Sequence, residues 1–203
     1  MDHTQIQRKR PTLPINDKTN GIHRRYDEVI EGQKIEIGTG KAADSLAGST
    51  FRDCEIRIKC AGRMTSYALR GCKFEDCLIW PSRLQSIPTW ESDFERCYFK
   101  GKYEVRFSGR FDSCDCSAAT LHYASFMKDE VTDCIWPAWP HIMIESPQQN
   151  RKAWKALAKP KEFNRFLCPH DAYHCIIDLS WAVNTPDDFW ETLKDEVYIK
   201  RKN

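Results

Sequence analysis

Sulfur and imidazole groups are the side chains of this sequence best suited to chemistry. The chain holds ten cysteines and six histidines, and the stretch "CPHDAYHC" brings together Cys168, His170, His174 and Cys175. These residue types are the ones that zinc prefers, but structural zinc sites usually present two ligand pairs separated by a long loop. Four ligands within so short a stretch would strain a tetrahedral site, so the pattern is more typical of a turn that enters a buried strand. We predict no metal and no cofactor, and keep a metal-dependent enzyme at this cluster as a third hypothesis.

Catalysis by a cysteine would require a thiolate, a base and an orienting group around a cleft. No recognisable nucleophile motif surrounds any cysteine, and GxGxxG, P-loop, HExxH and GxSxG motifs are absent from the sequence. The sequence therefore predicts a protein that is not an enzyme.

Composition restricts the class of protein and its compartment. The chain has 203 residues, of which 41% are hydrophobic and 30% charged, as expected for a globular protein. The apolar runs are far shorter than the roughly 18 residues that span a bilayer, and the N-terminus carries no apolar signal region. Ten cysteines without a signal favour reduced thiols, so we predict a cytoplasmic protein without a membrane partner.

Large residues recur every five positions along much of the chain. This period belongs neither to a helix face, with about 3.6 residues, nor to a strand face, with about 2. Sixteen pentads form runs of three, seven and six, with breaks at "RIKCAGRMTS" and "KGKYEVRFSGR". The seven-pentad run counts Leu84 among its inward residues, and the last run contains Phe111, Cys116, Leu121, Phe126, Val131 and Trp136.

A longer period overlies the pentads. The strings "FRDCEI", "FEDCLI", "FERCYF", "FDSCDC" and "VTDCIW" share one form and are separated by 23, 20, 17 and 20 residues, a mean of four pentads. From Asp44 to Trp136 the chain resembles the pentapeptide-repeat family. The resemblance implies an all-β fold, a right-handed quadrilateral β-helix in which each pentad is one side and four pentads complete a coil. The 17-residue step is either a shortened coil or a shift of phase.

Stacked coils would bring equivalent residues together at the strand spacing of about 4.8 Å. We therefore expect Phe51, Phe74 and Phe94 to form an internal aromatic stack. Beside it we expect a ladder of thiols that act as small hydrophobic groups, made by Cys54, Cys77 and Cys97 and extended by Cys114 and Cys134.

Four regions follow from these patterns. Residues 1–20 read as a flexible arm, 21–43 as an N-terminal cap with a strand at Ile35 and Ile37, 44–140 as the solenoid, and 141–203 as a mixed α/β, α-containing C-terminal cap. In the last region we predict a helix that Ser146 N-caps, running to about residue 158, and a buried strand in "HCIIDLSWAV". A second helix should follow the N-cap Thr185, with a buried face of Phe189, Leu193 and Val197.

The partner class rests on charge and on tryptophan. Residues 41–140 carry 14 basic and 14 acidic side chains, which argues against a nucleic-acid partner, and we expect the basic helix "RKAWKALAKPK" to dock through its apolar stripe. Large aromatic residues exceed what a narrow solenoid can bury. As exposed tryptophans are typical binding anchors, we predict partner-binding residues Trp80, Trp90, Trp136 and Trp139.

Three functions follow as hypotheses. The first is a non-enzymatic protein-binding module, a bacterial immunity or antitoxin-like inhibitor whose protein partner is a toxin. The alternative comes from the resemblance, because several pentapeptide-repeat proteins imitate B-form DNA and act on DNA gyrase; the balanced charge argues against it. The third is the metal-dependent enzyme. The resemblance also allows a homodimer, since some family members pair through their C-terminal ends.

Overall fold

The computed structural model describes residues 27–38, 46–59, 68–159, 172–181 and 183–202, with the side chains of 86–90 excepted. Its strands form a parallel β-solenoid of about four turns. The first sheet contains six parallel strands in chain order: β1 (Val29–Glu31), β3 (Thr50–Arg52), β5 (Lys73–Glu75), β8 (Asp93–Glu95), β10 (Phe111–Asp112) and β12 (Val131–Thr132).

The second sheet begins parallel and ends antiparallel. Its parallel part contains β2 (Lys34–Ile37), β4 (Glu55–Ile58), β6 (Leu78–Pro81), β9 (Tyr98–Phe107) and β11 (Asp115–Phe126), with β7 (Gln85–Trp90) paired to the second half of β9. The sheet then continues through β14 (His174–Asp178), β13 (His141–Glu145) and β15 (Ile199–Arg201), each pair antiparallel.

One sharp turn connects the two sheets in each rung. The residue before the repeated cysteine has φ between 48° and 54° in Asp53, Asp76, Arg96, Ser113 and Asp133. A side chain in this left-handed region costs about 1–2 kcal/mol, and short polar residues tolerate it best. The turn therefore explains the polar position of the motif, and it orients the following cysteine toward the interior.

The predicted aromatic stack is confirmed. Phe51, Phe74 and Phe94 pair in register on β3, β5 and β8, with ring centroids 5.0 Å apart in both contacts and planes within 9°. Phe111 continues the register opposite Phe94, with its ring tilted by 55°. Because Phe94 and Phe111 are direct partners, the 17-residue step is a shortened turn and not a shift of phase.

The predicted thiol ladder is also confirmed. Three buried sulfhydryls donate to a backbone carbonyl one rung earlier: Cys54 to Ile30 (3.3 Å), Cys77 to Phe51 (3.4 Å) and Cys97 to Phe74 (3.4 Å), whereas Cys114 donates to Asp112 of its own rung (3.3 Å). Cys134 makes the cross-rung contact to Phe111 at 3.6 Å. The cysteines thus fill the space beside the rings and satisfy carbonyl groups that face the interior.

Five-residue sides do not persist around the whole solenoid. Strand β9 runs without interruption through the stretch where the pentads predicted a break, and Leu84, counted as an inward residue, is 40% exposed. Within β9 the chain bends at Gly101, whose φ is +95°. A Cβ there would lie 3.0 Å from Cδ of Pro81, so this corner requires glycine twice over, for its backbone angle and for its lack of a side chain.

The segment before the first repeat motif belongs to the same sheets. The predicted strand at Ile35 is confirmed, and Ile35 pairs in parallel with Ile56, as Ile30 does with Phe51. Residues 29–37 therefore add a rung at the N-terminal side. The predicted arm at residues 1–20 lies outside the described residues, and the domain boundaries stay predictions.

The C-terminal region builds a second core on the far side of the extended sheet. Strands β13 and β14 are almost fully buried: Met143 and Ile176 face the solenoid interior, whereas Ile142, Ile144 and Ile177 face the second core. The second core is closed by Trp154 of α1 (Arg151–Ala156), by Phe189 of α2 (Pro186–Glu191) and by Leu193, Tyr198 and Ile199.

The helix boundaries correct two predictions. Asn150 rather than Ser146 precedes α1, because the chain first turns at Ser146, whose carbonyl accepts from the amides of Gln149 and Asn150. Thr185 precedes α2 as predicted, but this helix ends at Glu191. Val197 is consequently 83% exposed and does not belong to the buried face. The predicted buried strand is confirmed as β14.

Candidate interaction surfaces

The outer face of the first sheet is a ladder of ion pairs. Arg52 lies between two carboxylates of neighbouring rungs, with Nη1 3.2 Å from Glu31 and Nε 2.8 Å from Glu75. Arg96 makes a two-pronged contact with Asp76, at 2.8 and 2.9 Å. Exposed pairs of this kind add little to stability, so their main effect is to fix the positions of charges on the face.

This face is also acidic. The six strands of the first sheet, with the turn residue after each, contain eight carboxylates and three cations. Strands β2, β4, β6, β9 and β11 contain four carboxylates and five cations. The sequence of residues 41–140 is neutral, but folding separates it into an acidic outer face on the first sheet and a second sheet that is nearly neutral. We call the outer face of the first sheet the acidic face. The acidic side chains are Glu31, Asp53, Glu75, Asp76, Asp93, Glu95, Asp112 and Asp133.

A shallow depression of about 130 Å³ marks the middle of the acidic face. It lies between β5 and β8, and Asp93 on its floor accepts the backbone amide of Arg110 at 2.8 Å. At its C-terminal side a hydrogen bond from Thr132, together with Arg110, lowers the pKa of Asp112, so this carboxylate stays charged at neutral pH. The lining residues are Lys73, Phe74, Glu75, Asp93, Phe94, Glu95 and Arg110.

Trp80 occupies the outer face of the second sheet, between two cations. Arg57 lies 4.5 Å and Lys100 4.7 Å from its ring centre, and its Nε1 donates to Glu55 at 3.0 Å. Glu36 extends this row by pairing with Arg57, and a hydrogen bond from Lys59 lowers the pKa of Glu36. Neighbouring rungs already contact the Trp80 ring, which therefore acts as part of the sheet surface.

Two other predicted partner-binding residues pack internally. Trp136 stacks on Phe111 with centroids 5.9 Å apart and meets Phe126 edge-on, which closes the C-terminal end of the solenoid core. Trp139 packs against Trp190 of the second core, and Arg201 lies 4.0 Å from its ring centre. The side chain of Trp90 lies outside the described residues. Partner binding by these four tryptophans stays a prediction.

The Cys/His stretch is only partly described. Cys168 and His170 lie outside the described residues, whereas His174 and Cys175 are successive residues of β14. Successive strand side chains point to opposite faces, so His174 faces Asp129, at 3.7 Å, while Cys175 is buried in the second core. Across the described ranges, no three His, Cys, Asp or Glu side chains come together in a way that could hold a metal ion.

The buried thiols are held in their protonated form. Burial raises the pKa of Cys97 and Cys77 well above the ordinary range, and it raises that of Cys134, at the solenoid end, to about 11. Since the thiolate is the reactive form, these sulfurs act as packing groups at neutral pH.

Comparison of the chain with models of protein families, with curated proteins and with solved structures gave no match. In the part of the chain that the structure describes, none of the helices combines the length and apolar character needed to cross a membrane.

Sequence reasoning missed the acidic face, although a signal for it was present. The residue after the repeated aromatic position is Arg52, Glu75, Glu95 or Asp112, and a residue beside an inward ring must point outward. Counting charge by strand position rather than by segment would have found it.

Proposed function

We propose that this protein is a non-enzymatic binding module that recognises a protein partner through the acidic face. The proposal depends on one observation: the strands and turn residues of one sheet surface carry eight carboxylates against three cations, with Arg110 beside them as a fourth cation. Parallel pairing fixes the spacing of these charges, and the ion pairs of Arg52 and Arg96 restrict their side chains. A surface of this kind suits a basic partner, whose association it would accelerate at low salt.

The partner class that we propose is a bacterial toxin with a basic surface, which makes this protein an immunity or antitoxin-like inhibitor of the cytoplasm. A solenoid supports such a role because outward residues can change without disturbing the interior stack. In keeping with the resemblance to the pentapeptide-repeat family, we also propose right-handed, quadrilateral winding and a capping role for residues 141–203.

Imitation of DNA is the second candidate, and the acidic face favours it more than the sequence did. A row of carboxylates on successive rungs resembles the regular negative charge of a nucleic-acid backbone. Arg52 and Arg96 interrupt the row, which lowers its charge density and leaves protein recognition as the first choice. A supercoiling assay with DNA gyrase separates the two, because only the DNA mimic should inhibit or protect the enzyme at stoichiometric levels.

Two double variants of equal net charge test which face binds. Glu75→Lys with Glu95→Lys reverses charge on the acidic face, and Glu55→Lys with Glu104→Lys makes the same change on the second sheet. Each is immobilised beside the unaltered protein and exposed to lysate of the native host, and bound proteins are identified by mass spectrometry.

We expect one stoichiometric partner to bind the unaltered protein and the second-sheet variant but not the acidic-face variant. Added salt should weaken this binding. Equal binding by both variants, or no stoichiometric partner at all, contradicts the proposal. Elemental analysis of the purified protein tests the metal-dependent enzyme, and analytical ultracentrifugation tests the homodimer.

A further inference from the structure

Two imidazoles meet at the junction between the solenoid and the C-terminal strands. His122 is the extra residue of a β-bulge in β11: Leu121 pairs with Tyr103 and Tyr123 with Glu104, so that two residue steps on β11 oppose one on β9. His141 begins β13 and is 7% exposed. From Tyr123 onward β11 pairs with β14, so the bulge marks the place where the C-terminal strands join the solenoid sheet.

The hydrogen bonds of His141 define its tautomer. Its Nδ1 lies 2.8 Å from the carbonyl oxygen of Ala138 and must donate, because a carbonyl only accepts. Its Nε2 accepts the backbone amide of Leu121 at 3.2 Å. This pair of contacts fits only a neutral ring, since a proton on Nε2 would face the Leu121 N–H.

His122 is held neutral in a different way. Its ring stacks on Trp181 of the 3-10 turn Leu179–Trp181, with centroids 5.3 Å apart, and its Nδ1 is buried without a hydrogen-bond partner. Burial lowers the pKa of His122, and its contact with Trp181 ties the solenoid to the turn that follows β14.

Charged groups on the surrounding strands act on His122 in both directions. Asp178 of β14 and Glu104 of β9 favour protonation of His122, whereas Lys102 of β9 and the neighbouring His141 oppose it. Asp178 is the register partner of His141 and already accepts two hydrogen bonds from Ser180. Lys202, after β15, donates its amide to the carbonyl of His141. Burial outweighs the acidic groups, so the net effect on His122 favours the neutral ring.

We propose that His122, beside the hydrogen-bonded ring of His141, forms an acid-sensitive clasp, which fastens the C-terminal strands to the solenoid at neutral pH and loosens as the His122 imidazole takes up a proton. An open junction exposes the His122 ring to water, where the pKa of an imidazole is about 6.5. The open state therefore binds protons first, and the clasp is fully stabilising above about pH 6.5 and weakens as the pH falls. For an imidazole that stays fully neutral when closed, opening would become about thirty-fold more favourable at pH 5, which is the upper limit of the effect.

Hydrogen exchange at pH 7.5 and 5.0, corrected for intrinsic rates, tests the clasp. The double variant His122→Phe with His141→Gln keeps a ring on Trp181 and an amide acceptor for Leu121, but cannot titrate; His174→Gln is the matched control. We expect acid to reduce protection of residues 119–123, relative to 94–99, by at most about thirty-fold in the unaltered protein and the control. The double variant should show no such loss.

A fall of equal size in the double variant, or no fall in the unaltered protein, overturns the proposal. Nitrogen-15 NMR of the unaltered protein provides a readout that needs no variant. It should show an unprotonated Nε2 in His141 at pH 7.5 and a titration midpoint for His122 that is lower than that of a free imidazole. A protonated Nε2, or a midpoint of 6.5 or higher for His122, equally overturns it.

Discussion

The internal aromatic stack predicts a distance-dependent coupling between identical substitutions. Phe51 and Phe74 stack at 5.0 Å, as do Phe74 and Phe94, whereas Phe51 and Phe94 are separated by the ring between them. All three rings are 1% exposed or less. Replacing any one by leucine keeps the site apolar, and we expect it to lower the free energy of unfolding by about 1–2 kcal/mol.

Pairs of substitutions separate stacking from burial. Aromatic pairs contribute about 0.5–1.5 kcal/mol beyond their buried area, so the cycle Phe51→Leu with Phe74→Leu should show a coupling of about 1 kcal/mol. The cycle Phe51→Leu with Phe94→Leu uses the same residue types two rungs apart, and its coupling should be within about 0.5 kcal/mol of zero.

Urea unfolding followed by circular dichroism measures both cycles, provided that the slope of the free energy against urea stays constant among the variants. Equal coupling in both cycles would refute the reasoning, because it would mean that rung distance does not determine which rings touch. Coupling near zero in both would show that the rings do not stack.

Three further predictions concern backbone angles and thiols. Ser113 has a left-handed backbone angle, so glycine there should make the protein about 1 kcal/mol more stable than alanine. At Thr120, in the strand β11, alanine should be the more stable of the two. Urea unfolding measures both pairs, and the same order at both sites would contradict the prediction. Gly101→Ala should cost at least about 1–2 kcal/mol because of its φ and the nearby proline, so a neutral result would count against the bend. Iodoacetamide at pH 8 should alkylate Cys134 before Cys97 in the native protein, and the rate at Cys134 should increase as the pH rises toward 11. Peptide mass spectrometry measures the order of alkylation, and the opposite order would contradict this prediction.

The repeat could be predicted from the sequence because it is a local signal copied along the chain. Four rungs carry the same string of ring, outward residue, turn residue and cysteine, so stacking any two of these copies in register buries the ring and the thiol together. Phe51 and Cys54 therefore indicated the environment of Phe74 and Cys77 without any long-range information. Asp53 and Asp76 likewise fit a left-handed turn by residue type alone.

The ends of elements that carry no repeat were harder to predict from the sequence. Helix α2 began after Thr185 as its capping pattern indicates, but it ended at Glu191, and Val197 pointed into solvent although its spacing suited a helix face. Leu193, two residues beyond the helix end, still packs in the second core, so apolar spacing alone does not show where so short a helix ends. The prediction that Leu84 points inward was wrong, because the five-residue period applies only to the regular sides of the solenoid.

By itself the sequence determined the stack of rungs, the inward rings and thiols, and the absence of familiar catalytic motifs. Only the tertiary structure decided the acidic face, the antiparallel strands that extend the second sheet, and the meeting of His122 with His141. The physical reason is that a rung interior depends on residues a few positions apart. Faces and junctions depend on residues twenty or more positions apart, whose pairing is set by strand register.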